Sequence, residues 1–141
     1  MHRDSFSIDL ILRHTSRSTR SIAKALSLKP QIAYSNPRSR RTYFQAVLQN
    51  GNSPAKFQLA LPKIVRFLCK NKKFWKDFIA ENGSAEVVFN YAIFPQTANG
   101  DKSLELCLTS VFCEYLAANG VGLKIQGWQR GLHPKRLRRT T

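Results

Sequence analysis

Apolar and polar side chains alternate over residues 5–13. Phe6, Ile8, Leu10 and Leu12 fall on one side, Ser7, Asp9 and Arg13 on the other, and Ile11 is the exception. A period of two predicts a half-buried strand. The period then lengthens: after Ser18, a good N-cap, Ile22, Ala25 and Leu26 line one side of a short helix that Pro30 ends. Residues 29–42, with Pro30, Asn36, Pro37, Arg38, Arg40 and Arg41, read as an irregular basic loop. Residues 43–49 read as a strand stopped by the turn signal Asn50-Gly51. After Pro54, residues 57–61 fit either a short strand or a lead-in to the next helix.

The longest helical pattern covers 62–82, with Pro62 suited to its first position and Gly83 to its C-terminal cap. At one turn per 3.6 residues, Ile64, Val65, Leu68, Trp75, Phe78 and Ile79 share a face, and Lys63, Arg66, Lys70 and Lys73 lie nearly opposite. The run Lys70-Asn71-Lys72-Lys73 is a place where this helix can break in two. Alternation returns over 86–94, with Val87, Phe89, Tyr91 and Ile93 inward. Asn99-Gly100-Asp101 then turns the chain into a second hairpin strand marked by Leu104, Leu106 and Leu108. Ser110 is the expected cap of a helix carrying Phe112, Tyr115 and Leu116, which Asn119-Gly120 terminates before a short strand at 123–126.

These elements predict one α+β domain over residues 1–129. It has two layers, about three helices on a mixed, mostly antiparallel sheet, in the order β-α-β-(β)-α-β-β-α-β. The end of the chain, "RGLHPKRLRRTT", has five basic residues and no acid, so 130–141 is expected to be a disordered basic tail.

Charge changes the picture most. The 141 residues include 23 Lys and Arg against 8 Asp and Glu, a formal net charge of +15, and each third of the chain shares in it. Such an excess attracts polyanions whatever the fold, so nucleic acid, anionic lipid and an acidic protein are all eligible partners. No apolar run approaches the length of a membrane span and no signal peptide is visible, which makes a cytoplasmic protein the expectation. Cys69, Cys107 and Cys113 are odd in number and lack C-x-x-C spacing, so neither a metal centre nor a disulfide framework is expected.

Three features resemble the bacterial family described as domain of unknown function 4279. The first is a strand followed by "TSRSTRSIAKALSLKP", with Leu26, Leu28 and Pro30 in an L-x-L-x-P ending. The second is the helix "IVRFLCKNKKFWKDFIAENG" leading into a hairpin. The third is "LTSVFCEYLAANGVGLKI", strand into helix, glycine stop and final strand. The resemblance covers roughly residues 6–126 and implies a small α+β domain without a settled activity. The chain departs from the family in the first turn of its first helix, where Ser18, Thr19, Arg20 and Ser21 stand in place of acidic residues. It departs again in the second strand region, where Tyr43 or Phe44 replaces a tryptophan.

Arg13, His14, Arg17 and Arg20 lie at the strand-to-helix junction beside the cap Ser18, and can converge with helix N–H groups on a phosphate or carboxylate. A second, polyanion-binding set comprises Arg38, Arg40 and Arg41 beside Tyr43 and Phe44, together with Lys63, Arg66, Lys70 and Lys73 along the long helix. The tail adds Lys135, Arg136, Arg138 and Arg139. For each set the plainer alternative is a solvated basic surface. The stretch "RRTYFQAVL" around Tyr43 and Phe44 lacks the glycines and second aromatic of the RNA-recognition signature. His2, His14 and His133 are dispersed, the acids form no pair, and neither a phosphate loop nor a nucleophile elbow occurs. The expectation is therefore a non-catalytic binding module without cofactor or metal. Its partner is anionic, an acidic protein or alternatively RNA or DNA bound without base specificity.

Overall fold

A computed structural model describes residues 6–36, 38–39, 41–93 and 108–129. The elements are β1 (Phe6–Thr15), α1 (Thr19–Leu26), β2 (Ile32–Asn36), β3 (Arg41–Gly51), α2 (Pro54–Lys70), α3 (Lys72–Ala80), β4 (Ser84–Ile93), α4 (Ser110–Ala118) and β5 (Gly122–Gln129). The strands form one mixed sheet in the order β2-β3-β1-β4-β5, antiparallel except for the parallel β4–β5 pair. The expected α+β class is therefore observed, with four helices among the described residues where about three were expected.

All four helices deliver side chains to one core cluster that also takes the inward face of the sheet. Phe6, Ile8, Leu10, Leu12, Phe44, Ala46, Val87 and Phe89 meet Ile22 and Leu26 of α1, Phe57, Ile64 and Leu68 of α2, Trp75 and Phe78 of α3, and Phe112 and Leu116 of α4. Phe6, Phe57, Phe89 and Phe112 make a chain of ring contacts with centroids 5.3, 5.3 and 5.6 Å apart, tying β1, α2, β4 and α4 together. The helices thus lie on one face of the sheet, and the opposite face carries Ser7, Asp9, Ile11 and Arg13 of β1 by alternation. Asp9, Ile11 and Val88 are buried on that second face, although Ile11 and Val88 lie outside the core cluster.

Local chemistry sets the helix ends. Ser18 Oγ accepts the Ser21 N–H at 3.0 Å, as expected of a cap. Three helices finish in the same reversed turn. Leu28 N–H donates to the Ala23 carbonyl, Gly83 N–H to Phe78 and Val121 N–H to Leu116, after Ser27, Asn82 and Gly120 at φ 52°, 67° and 66°. Gly120 holds the expected position. At the end of α3, however, Asn82 takes the left-handed residue, and Gly83 is needed for space, since a Cβ there would come within 2.5 Å of the Phe78 ring.

Four expectations are corrected. The long helix starts at Pro54, capped by Ser53, so residues 57–61 are helical and Pro62 lies inside α2. The buried Phe57, Ala60, Leu61 and Ile64 explain this, because a helical period already runs through them. The supposed loop at 29–42 contains β2, whose five residues are all exposed and so leave no alternating signature. Lys73 does not continue the face of Lys63, Arg66 and Lys70, because α2 stops at Lys70 and α3 begins at Lys72. Trp75 braces that elbow by donating its indole N–H to the Leu68 carbonyl at 3.0 Å. Finally, Thr109, and not Ser110, caps α4. The hairpin strand marked by Leu104 and Leu106 lies outside the described residues, as do Arg40 and the tail with Lys135, Arg136, Arg138 and Arg139.

Candidate functional site

Two of the predicted clusters meet at one end of β1. Leu12 pairs with Phe44 and Thr15 with Thr42, so the two residues Arg13 and His14 stand opposite the single Tyr43. This is a β-bulge, and His14 accommodates it at φ 60°, a left-handed region uncommon outside glycine although histidine enters it more readily than most residues. Such a conformation costs on the order of 1 kcal/mol or more and is found where a side chain has to be re-aimed. Both flanking cations are placed by the bulge. The Arg13 guanidinium lies 5.6 Å from the centroid of the Tyr43 ring, and Arg41 Nη1 is 3.2 Å from His14 Nδ1.

Tyr43 lies on the sheet face turned away from the helices, while Phe44, next in the chain, is fully buried in the core. The β2–β3 register sets Tyr34 directly opposite Tyr43, and the two rings stack with centroids 5.2 Å apart and planes 13° from parallel. Tyr34 is 58% exposed. The strand register thus sets a second aromatic ring beside Tyr43.

A hydrogen-bond relay crosses three strands behind this pair. Asn90 Nδ2 of β4 donates to Asp9 Oδ2 at 3.0 Å, and Gln45 Nε2 of β3 donates to the same oxygen at 3.1 Å. Ser7 Oγ donates to Asp9 Oδ1. The Gln45 carbonyl oxygen, oriented by that contact, accepts the Tyr43 hydroxyl at 2.8 Å. Asp9 is only 4% exposed and, among the described residues, has no cationic partner; its charge is held by amide and hydroxyl donors. Asp9 and Gln45 thus act as positioning residues for Tyr43.

Arg17 has a different role from the one expected. Its Nε and Nη2 donate to the two carboxylate oxygens of Glu81 at 2.8 and 2.7 Å, and its guanidinium lies over the Phe74 ring at 5.1 Å. The hydrogen bond to Glu81 raises the Arg17 pKa, and the same bond lowers that of Glu81. Among the described residues no other cation is in a salt bridge. Ser18 is occupied as the α1 cap, and Arg20 is exposed on α1.

The remaining cations divide between the layers. Arg38 is exposed in the turn joining β2 to β3. Lys63, Arg66 and Lys70 are exposed on α2 and Lys73 on α3, in the helix layer across the sheet from Tyr43. Among the described residues no group of His, Cys, Asp and Glu is arranged to hold a metal, and no helix is long and apolar enough to cross a membrane. No family model, curated protein or solved structure matches the chain.

Proposed function

We propose that the protein is a non-catalytic binding module for an anionic polymer, and that its outer sheet face takes single-stranded nucleic acid without base specificity. One observation carries this reading: the exposed Tyr34 ring stacked on the half-buried Tyr43, with Arg13 against Tyr43, on a face free of described helices. Every base has a π-face, so the open face of Tyr34, backed by Tyr43, accepts a base whatever the sequence, while neighbouring cations meet the phosphates. The formal charge of +15 adds a long-range field that gathers such polymers. An acidic protein is served equally by the charge and can also pack on an exposed tyrosine, but a flat ring backed by a second ring and a guanidinium suits a base more closely. Membership of the domain of unknown function 4279 family belongs to the same proposal. It is supported by the strand, capped helix and Leu26-Leu28-Pro30 ending, and by α4 stopping at Gly120 before β5.

The test is fluorescence anisotropy of a labelled oligothymidylate with the wild type and Tyr34→Ala. Base stacking on one ring is worth ~1–3 kcal/mol, so the variant should bind roughly 5- to 150-fold more weakly, with an unchanged log-salt slope because no charge is removed. Equal affinity for both proteins, or no binding by either, overturns the reading.

A further inference from the structure

From the same bulge we infer that the cleft between His14, Ser16, Ser39 and Arg41 is a phosphoryl-binding site, which would hold one phosphate of the strand stacked on Tyr34. The inference rests on the proposed nucleic-acid reading for its biological ligand, while the chemistry of the cleft stands by itself.

The cleft has a volume of about 250 Å³ and is lined by His14, Thr15, Ser16, Ser39, Arg41, Glu81 and Asn82. Its donors come from two loops that the sheet brings together, the bulged end of β1 and the β2–β3 turn. Arginine can only donate, so the 3.2 Å contact makes His14 Nδ1 the acceptor and leaves Nε2–H as a donor. The Ser39 hydroxyl oxygen already accepts the Arg41 N–H at 3.3 Å, which leaves its own proton to give. Ser16 makes no side-chain hydrogen bond among the described residues. Guanidinium, imidazole and two hydroxyls are the mixture of donors that a tetrahedral oxyanion accepts from several directions.

The carboxylate on the wall would oppose an anion, but Arg17 closes both of its oxygens in a forked pair. Arg41 has no carboxylate partner among the described residues, so the cleft keeps one uncompensated positive charge. Arg41 and Tyr43 are two residues apart on β3, about 6.6 Å at the rise of a strand, which places the cleft within a nucleotide's reach of the rings.

The experiment uses the full chain and follows backbone amide signals during titration with inorganic phosphate. Millimolar phosphate should move Ser16, Ser39 and Arg41 in the wild type. His14→Gly should fold at least as well, since glycine relieves the left-handed backbone, yet it and Arg41→Gln should each weaken phosphate by roughly tenfold or more. Glu81→Gln should tighten it by about 2- to 5-fold. Tyr34→Ala should leave the phosphate response intact while weakening oligothymidylate binding, which separates the two readings. Oligothymidylate with and without a 5′-phosphate distinguishes the source: a preference for the phosphorylated end assigns the cleft to a terminal phosphate, and equal binding assigns it to an internal diester. Immobile Ser16, Ser39 and Arg41 signals, or an unaltered response in both His14→Gly and Arg41→Gln, would overturn the site even if oligothymidylate binds.

Discussion

Replacing Asp9 by alanine and by asparagine separates two ways in which a buried acid can matter. The carboxylate is 4% exposed and receives donors from Ser7, Gln45 and Asn90. In Asp9→Ala these three donors lose their acceptor in a partly buried place. A stranded donor costs about 1–3 kcal/mol, and partial rehydration of Ser7 and Asn90 lowers the total, giving a destabilisation of about 2–4 kcal/mol. Asp9→Asn is milder. Its amide oxygen can still accept from Gln45 and Asn90, while its NH2 turns toward Ser7, whose hydroxyl can accept. The charge-assisted component is lost, but so is the cost of burying a charge, and the net change should be no more than ~1.5 kcal/mol. Urea denaturation at neutral pH would read both values. Loss of the relay also frees Gln45 and with it the Tyr43 hydroxyl, so oligothymidylate binding should weaken more in Asp9→Ala than in Asp9→Asn. If asparagine is as damaging as alanine, the charge itself is what the site requires, and the relay argument is wrong.

Trp75→Phe should cost about 2–3 kcal/mol in the same assay, because it removes the indole donor to Leu68 and leaves a gap at the α2–α3 elbow; a loss below ~1 kcal/mol would mean that the elbow is not braced there. Pro62→Ala should raise stability by about 1–3 kcal/mol, since the proline stands exposed inside α2 where it removes a backbone donor. For Glu81 the folded-state pKa is depressed by Arg17, so its stabilisation is present above the unfolded value of about 4.3 and is lost as the pH falls through the folded one. The stability difference between wild type and Glu81→Gln should therefore favour wild type near neutrality and shrink steadily below about pH 4.3; thermal melts across that range would show it, and a gap that widens on acidification would refute the pairing.

What could be read from the sequence followed the range of the force involved. β1, the Ser18 cap and the Gly120 stop are dictated within a few residues, by alternation, a hydroxyl and a left-handed turn. By sequence the start of α2 falls at Pro62, which suits a first turn, whereas Pro54 holds that place, and only the packing of Phe57 and Leu61 decides for it. β2 left no trace, since none of its five residues is buried. The candidate site was half legible. His14 and Arg41 were each singled out, but their meeting depends on a bulge, and Tyr34 reaches Tyr43 only through the strand register. Glu81, 64 residues from Arg17, gave no sign that it would divert that arginine from an anion.

The central place of β1 also bears on how the chain is made. Its register with β4 joins Ile8 to Phe89, so one of its edges waits for a partner more than half the chain away. At a synthesis rate of ~5–20 residues per second, roughly 4–16 s separate the emergence of the two strands from the ribosome. During that interval the nascent chain can close β1 only against β3, leaving Phe6, Ile8, Leu10 and Leu12 without the α3–β4 portion of their cover. Shielding by a chaperone during translation, and crowding that favours premature association, should therefore affect the yield of folded protein more than the stability of the finished molecule does.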